Sequence, residues 1–280
     1  MILIITLLEK FRLRKFLFFC FYLFVAFDFI SMIHGKTSDA LLGSRVDRNT
    51  WWVGNHVVSP SVSILIMAGH ADSQFMKGAG TSGEAVALKG YPPMNSKMSD
   101  ELFWNLKVRD AVVRLGKAKG LKIKSYEPGI RKIIDDNNEK TNWTVGSRYS
   151  SQGAYVLEIH FDAYGNHGLG SGLIPPLTNR INNIDESIAR SFGRYPLFFR
   201  GGLGAPRRQI RVLEIGKLEG DLEKNLRQVN SSEKTIDQIA DRIVNAILIG
   251  LNKKDLFNQQ LNKGDIFLQD SHLQTNLGAL

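Results

Sequence analysis

Val62-Ser-Ile-Leu-Ile-Met-Ala-Gly-His70 is the stretch on which the fold turns. Its apolar residues run on without the alternation of a half-buried strand. It therefore reads as a short strand covered on both faces, the kind that parallel sheets hold between helices. Downstream, residues 71–98 are rich in Gly and Pro and read as loop. Ser99 and Asp100 then offer helix caps, and Glu101 falls in a first turn, where a carboxylate suits the helix dipole. Trp104, Val108, Ala111, Val112 and Leu115 recur on one stripe of that helix, which Gly120 ends. Residues 121–125 read as a second strand.

The same alternation continues. Residues 154–161 and 210–215 read as strands, with a helix over residues 181–192 between them. The clearest helix spans residues 233–250, with Ile236, Ile239, Ala240, Ile243, Val244 and Ile247 on one face. Strands alternating with helices predict an α/β fold: a single domain over residues 61–251, with a largely parallel twisted sheet and helices on both faces. Residues 36–60 read as a polar linker carrying the pair Trp51-Trp52, and residues 252–280 as a polar tail.

The first 35 residues read as a targeting segment. Lys10, Arg12, Arg14 and Lys15 precede an apolar run from Phe16 to Ile33 that only Asp28 interrupts. Basic residues followed by an apolar core describe a secretory signal, or a membrane anchor if the segment stays uncleaved. The expected location is periplasmic or secreted, with inner-membrane anchoring as the uncleaved alternative. Cys20 is the one cysteine of the 280-residue chain, which excludes an internal disulfide and any cysteine-based zinc cluster. A metal would have to sit on His and carboxylate. The formal net charge of +9 favours an anionic partner without choosing among nucleic acid, acidic membrane and carboxylate-rich polymer.

Two histidines close strands, His70 after the first and His160 near the end of Tyr155-Val-Leu-Glu-Ile-His160. In open α/β sheets ligands gather just beyond the carboxyl ends of strands. One histidine there is ordinarily structural. Two, with Glu101 opening the helix after the first, look like a His₂Glu set, a known arrangement for catalytic zinc with water in the fourth place. Glu214, in Arg211-Val-Leu-Glu-Ile-Gly216, lies in an apolar strand, where a carboxylate is either paired with a nearby arginine or functional.

Taken in order, Gly69-His70, Glu101-x-x-x-Asn105-Leu106, Ile159-His160-x-Asp162-Ala163 and Leu213-Glu214-x-Gly216 resemble the zinc-dependent N-acetylmuramoyl-L-alanine amidases, the peptidoglycan amidases of cell separation and lysis. The resemblance spans residues 62–251. It implies that His70, Glu101 and His160 hold Zn2+ and that Glu214 is the catalytic acid/base. It also implies cleavage of the amide between the lactyl group of N-acetylmuramic acid and the first L-alanine of the stem peptide, with peptidoglycan as partner and no nucleic acid. A catalytically inactive peptidoglycan-binding relative is the alternative. Membrane contact is expected only through an uncleaved N-terminal segment.

This chain departs from the family pattern at several places. His70-Ala-Asp72 stands where the family shows His-Gly-Gly, and His160-Phe-Asp162 where it shows His-x-Asn. Glu158 takes the place of a serine two residues before the second histidine. Strand alternation puts Glu158, His160 and Asp162 on one face, with Glu158 as an acid just outside the ligand set. Glu84 lies at nearer the usual spacing from His70 than Glu101 does. It is followed by Gly90-Tyr-Pro-Pro93, however, which no long helix crosses, so Glu101 is preferred. Gly78-Ala-Gly80-Thr-Ser-Gly83 matches a dinucleotide fingerprint formally but does not directly follow the strand. The run Arg190, Arg194, Arg200, Arg207, Arg208 and Arg211 reads either as a wall for stem-peptide carboxylates or as a solvated basic face. Residues 71–98, directly after a ligand, are expected to form a mobile flap at the mouth of the site.

Overall fold

A computed structural model describes residues 36–46, 52–177 and 181–274. The targeting segment, Trp51 and the last six residues lie outside these. In chain order the elements are β1 (Lys36–Asp39), β2 (Gly43–Val46), β3 (Ile64–Ala68), α1 (Gly83–Ala87), α2 (Asp100–Ala118), β4 (Ile123–Ser125), α3 (Asn142–Ser151), β5 (Tyr155–Asp162), β6 (Gly172–Ile174), α4 (Asn183–Phe192), β7 (Arg211–Lys217), α5 (Gly220–Arg227) and α6 (Val229–Gln274). Two short helical turns, Phe199–Gly202 and Gly204–Arg207, precede β7.

The main sheet has the order β4-β3-β5-β7-β6. Its first four strands run parallel, and β6 is antiparallel to β7. The carboxyl ends of β3, β5 and β7 therefore open on one edge. All five residues of β3 are buried, as a continuous apolar run between two covered faces requires. Both faces carry helices. On one, Ile66, Leu157, Ile159 and Leu213 pack beneath α2, α4 and α6 through Trp104, Val112, Ile188 and Ile243. On the other, Leu65, Met67, Val156 and Val212 meet a smaller cluster with Val145 of α3 and Tyr195. The expected α/β class, with a mostly parallel sheet, is what the chain adopts.

Local chemistry sets the helix ends. Ser99 caps α2 by accepting from Leu102 N, and Gly120 beyond its end takes a φ of 79°. Asn182 and Asp185 form a reciprocal capping box on α4.

The structure differs from the sequence reading at both ends. Residues 36–46, read as linker, form a β1–β2 hairpin that buries Leu42 and bonds to the domain through Val46 N to Ser171 O. Arg242 of α6 also pairs with Asp39 at 2.7 Å. The last helix does not stop at residue 250 but runs to Gln274. Among the described residues no helix is long and apolar enough to cross a membrane.

Candidate metal centre

The carboxyl edge gathers side chains from three elements. His70 ends the β3 turn with φ 61°, an unusual left-handed conformation for a residue with a Cβ. Three carboxamides fix the backbone that delivers it. Asn142 Nδ2 donates to Ala68 O at 2.7 Å, Asn105 Nδ2 to Gly69 O at 3.1 Å, and Gln74 Nε2 to His70 O at 2.8 Å. Asn105 stands one helical turn after Glu101, so one face of α2 supplies both residues.

Glu101 is buried in the first turn of α2 and points at both histidines. Its Oε1 lies 3.4 Å from His70 Nε2 and 3.1 Å from His160 Nδ1. Its Oε2 accepts from Thr81 N at 2.8 Å, while Glu101 N donates to Thr81 O. The stretch that formally matches a dinucleotide fingerprint is thus a strap tied to Glu101. Gly80 within it has φ 84°, and a Cβ there would lie 2.7 Å from Ser99 Oγ. His160 comes from β5 and meets His70 edge to face, with ring centroids 4.7 Å apart. A Cβ on Gly69 would fall 2.2 Å from the His160 ring, so only glycine lets that ring in.

His70, Glu101 and His160 each offer one ligand atom, and these atoms all lie within 4.8 Å of one another. A tetrahedral ion with ligands at roughly 2.0–2.2 Å separates them by about 3.4 Å. The separations of 3.4 Å from Glu101 Oε1 to His70 Nε2 and 3.1 Å to His160 Nδ1 suit that spacing. Glu84 is elsewhere. It pairs with Lys89 at 2.7 Å on the surface of α1.

Glu214 stands directly across from His160 in the β5–β7 register and lines the same cleft. Its Oε2 is buried and makes no hydrogen bond, and the same holds for Oε2 of Glu158. Glu158 Oε1 lies 3.2 Å from His160 Nε2. Asp162 has a different task. Its carboxylate accepts from Ala163 N, Leu169 N, Gly170 N and the Tyr195 hydroxyl, which folds the loop after β5.

Electrostatics follow from this crowding. Burial pushes the Glu214 carboxyl well above its ordinary range; His160 opposes that, and Asp162, Glu101 and Glu158 add to it. Burial would also raise Glu101, but His70, the bond to His160 and the Thr81 N–H outweigh it and hold the group low. Burial alone would lower His160. Its bonds to Glu101 and Glu158, with Glu214 behind them, raise it well above the usual imidazole range. Burial keeps His70 below its ordinary value. Several carboxylates thus surround two imidazoles, and two buried carboxylate oxygens lack any partner. A divalent cation among His70, Glu101 and His160 suits both the charge and the donor set.

The cleft over this group has a volume of about 480 Å³. The Ser73–Ala79 stretch, Thr141, Trp143 and residues 202–205 form its walls. Of the segment read as a flap, residues 73–79 border the cleft beside His70, whereas residues 83–87 form α1. Asp72 and Asp136 also line the cleft, and among the described residues its lining includes Lys77 but no arginine. The arginine-rich run disperses instead. Arg190 pairs with Glu186, Arg200 and Arg207 bond to nearby carbonyls, Arg208 stacks on Trp143, and Arg211 is buried against Asp185.

No protein-family model matches the chain, and no curated protein does. Among solved structures, the catalytic domain of CwlV, an N-acetylmuramoyl-L-alanine amidase from Paenibacillus polymyxa var. colistinus, is similar at 14% identity with a TM-score of 0.44; the match covers 66% of this chain and 96% of that one. Ami1, an N-acetylmuramyl-L-alanine amidase from Mycobacterium smegmatis, is similar at 15% identity with a TM-score of 0.43, covering 70% of this chain and 99% of that one. CwlD amidase from Clostridioides difficile, solved in complex with the GerS lipoprotein, is similar at 15% identity with a TM-score of 0.41, covering 68% and 98%. At such identities the chemistry is decided by this chain's own residues.

Proposed function

We propose that this chain is a zinc-dependent hydrolase that cleaves the amide bond between N-acetylmuramic acid and L-alanine in peptidoglycan, outside the cytoplasm. One observation carries the reading: His70, Glu101 and His160 converge, with Glu214 across from His160 and its Oε2 unbonded. Zinc bound there supplies Lewis acidity and lowers the pKa of a water to about 7. His70, Glu101 and His160 would hold the ion, with His70 Nε2 and His160 Nδ1 as the nitrogens nearest Glu101 Oε1. Thr81 N and the carboxamides of Asn105, Asn142 and Gln74 keep those ligands in place.

Glu214 takes the proton of the attacking water at Oε2. The water oxygen bonds to the lactyl carbonyl carbon, the C–N bond breaks, and Glu214 returns the proton to the departing nitrogen of L-alanine. The muramyl carboxylic acid and a free amino terminus result. Buried among acids, Glu214 has the raised proton affinity that a shuttle needs, since it must accept a proton from water and still release it to an amine.

The test is metal analysis of the purified protein beside chromatography of a purified muropeptide, watching for release of the free stem peptide. Zinc at one ion per chain, with release abolished by a chelator and restored by zinc, is the expected result. Zinc without release would favour a non-catalytic wall-binding relative. Neither zinc nor release would remove the reading.

A further inference from the structure

We propose that Glu158 is a positioning residue that holds the His160 ring in its ligating tautomer and thereby sets the affinity of the metal centre. The inference rests on the metal reading above and extends it to a residue outside the ligand set.

His160 has two ring nitrogens, and the structure separates their tasks. Nδ1 faces Glu101 Oε1 at 3.1 Å, the same oxygen that lies 3.4 Å from His70 Nε2, so Nδ1 belongs to the ligand group. Nε2 is engaged instead by Glu158 Oε1 at 3.2 Å. A histidine that ligates through Nδ1 carries its proton on Nε2, and that proton needs an acceptor. Glu158 supplies one. Without it the ring would divide its time between tautomers, one of which places a proton where the ion must go.

Among the described residues, Glu158 has no hydrogen-bond partner other than His160. The side chain is 3% exposed, and its strand neighbours are Met67 and Val212, neither of which carries charge or a polar group. Its Oε2 is buried without a hydrogen bond. Burying a carboxylate with one bond is unfavourable, so the bond to His160 is the reason the geometry offers. Gly69 completes the arrangement by admitting the ring where any side chain would clash. The ring is thus set by Gly69 beneath it, Glu101 at one nitrogen and Glu158 at the other.

The experiment measures zinc affinity of the metal-free protein by competition with a chromophoric chelator, in wild type, Glu158→Ala, Glu158→Gln and Glu101→Gln. Loss of an outer hydrogen-bond partner typically weakens a metal site by about 10–100-fold. That loss is expected for Glu158→Ala. A smaller loss is expected for Glu158→Gln, whose amide oxygen still accepts the Nε2 proton. The zinc-loaded wild type should also show a slowly exchanging His160 Nε2–H resonance by NMR, absent in Glu158→Ala. If Glu158→Ala does not fold, Glu158→Gln and the wild-type resonance decide. Wild-type affinity in the Glu158 variants, with Glu101→Gln losing zinc, would overturn this inference alone. Wild-type affinity in Glu101→Gln would overturn the metal reading and this inference with it.

Discussion

Two groups of buried charge lie on opposite faces of one sheet, and they are built on opposite plans. Near the amino ends of β5 and β7, on the face covered by α2, α4 and α6, Arg211 meets Asp185 at 2.8 Å. The Tyr155 hydroxyl donates to the same carboxylate at 3.0 Å, and the guanidinium stacks over the tyrosine ring. Asp185 also closes the capping box of α4. Charge and hydrogen bonds balance within the protein. At the carboxyl ends, on the face that bears the cleft, Glu101, Glu158 and Glu214 surround two histidines, and two carboxylate oxygens have no partner. The first group is finished by folding alone. The second keeps three carboxylates around two imidazoles and leaves two of its buried carboxylate oxygens unbonded. Buried charge that closes on itself is structural, and buried charge with something left over marks where a ligand belongs.

The contrast breaks most readily at Glu214. Glu214→Gln keeps the shape and removes the base, so zinc content should hold while muropeptide turnover falls by roughly 10²–10⁴-fold. Unchanged turnover would take Glu214 out of the mechanism. Zinc lost together with activity would recast it as a ligand.

On the closed face the effect should be on stability instead. Asp185→Asn leaves Arg211 buried and unpaired, a change that costs about 3–5 kcal/mol. Chemical unfolding should register it, while zinc affinity and turnover per folded molecule stay at wild-type values. A variant that unfolds normally but loses zinc would mean that the two groups are not independent.

A third measurement tests the proposed cation directly. Zinc at a thousandfold excess over its Kd should raise unfolding free energy by about 4 kcal/mol, and Glu101→Gln should abolish the gain. The Asp185→Asn protein should keep it.

Glu223 is an intermediate case, and the smallest expected effect. It is a buried carboxylate on α5 that accepts from Ala85 N of α1, with no ion pair among the described residues. Burial is the main reason its pKa is pushed up to about 7, from 4.5. A raised carboxyl binds its proton more tightly folded than unfolded, so it favours the fold at acid pH. That advantage is lost as pH rises from 4.5 through about 7. Unfolding free energy should decline across this window by at most about 3 kcal/mol. Glu223→Gln should flatten the decline, and a profile identical to wild type would exclude the effect.

What could be read from the chain alone follows this division. Buried strands and amphipathic helices write their burial into local spacing, so the run through β3 and the stripe on α2 were legible, as were the strand ends carrying His70 and His160. Elements held by few apolar residues were not. The β1–β2 hairpin is anchored chiefly by Leu42 and Val46 and looks polar. Helix α3, Asn-Trp-Thr-Val-Gly-Ser-Arg-Tyr-Ser-Ser, is made of weak helix formers and owes its start to the Thr141 cap and to Asp72, which accepts from Asn142 N. Strand β6 has three residues, too few for a pattern. Nor does proximity in sequence tell where long side chains go. Arg208 and Arg211 are near neighbours, yet one stacks on Trp143 and the other is buried beneath α4. The strap from Thr81 to Glu101 uses backbone atoms, which sequence does not distinguish.

The three carboxamides at the end of β3 have a consequence for rate as well as for position. Asn142, Asn105 and Gln74 occupy three successive carbonyls before any ion arrives. The rotational freedom of that turn is surrendered during folding and not at capture. An ion taken up by the proposed centre would then couple to no conformational step and be paced by encounter and loss of hydration water. Mixed rapidly with metal-free protein, zinc should load in a single phase whose rate climbs linearly with zinc concentration, without the plateau that an opening step would impose.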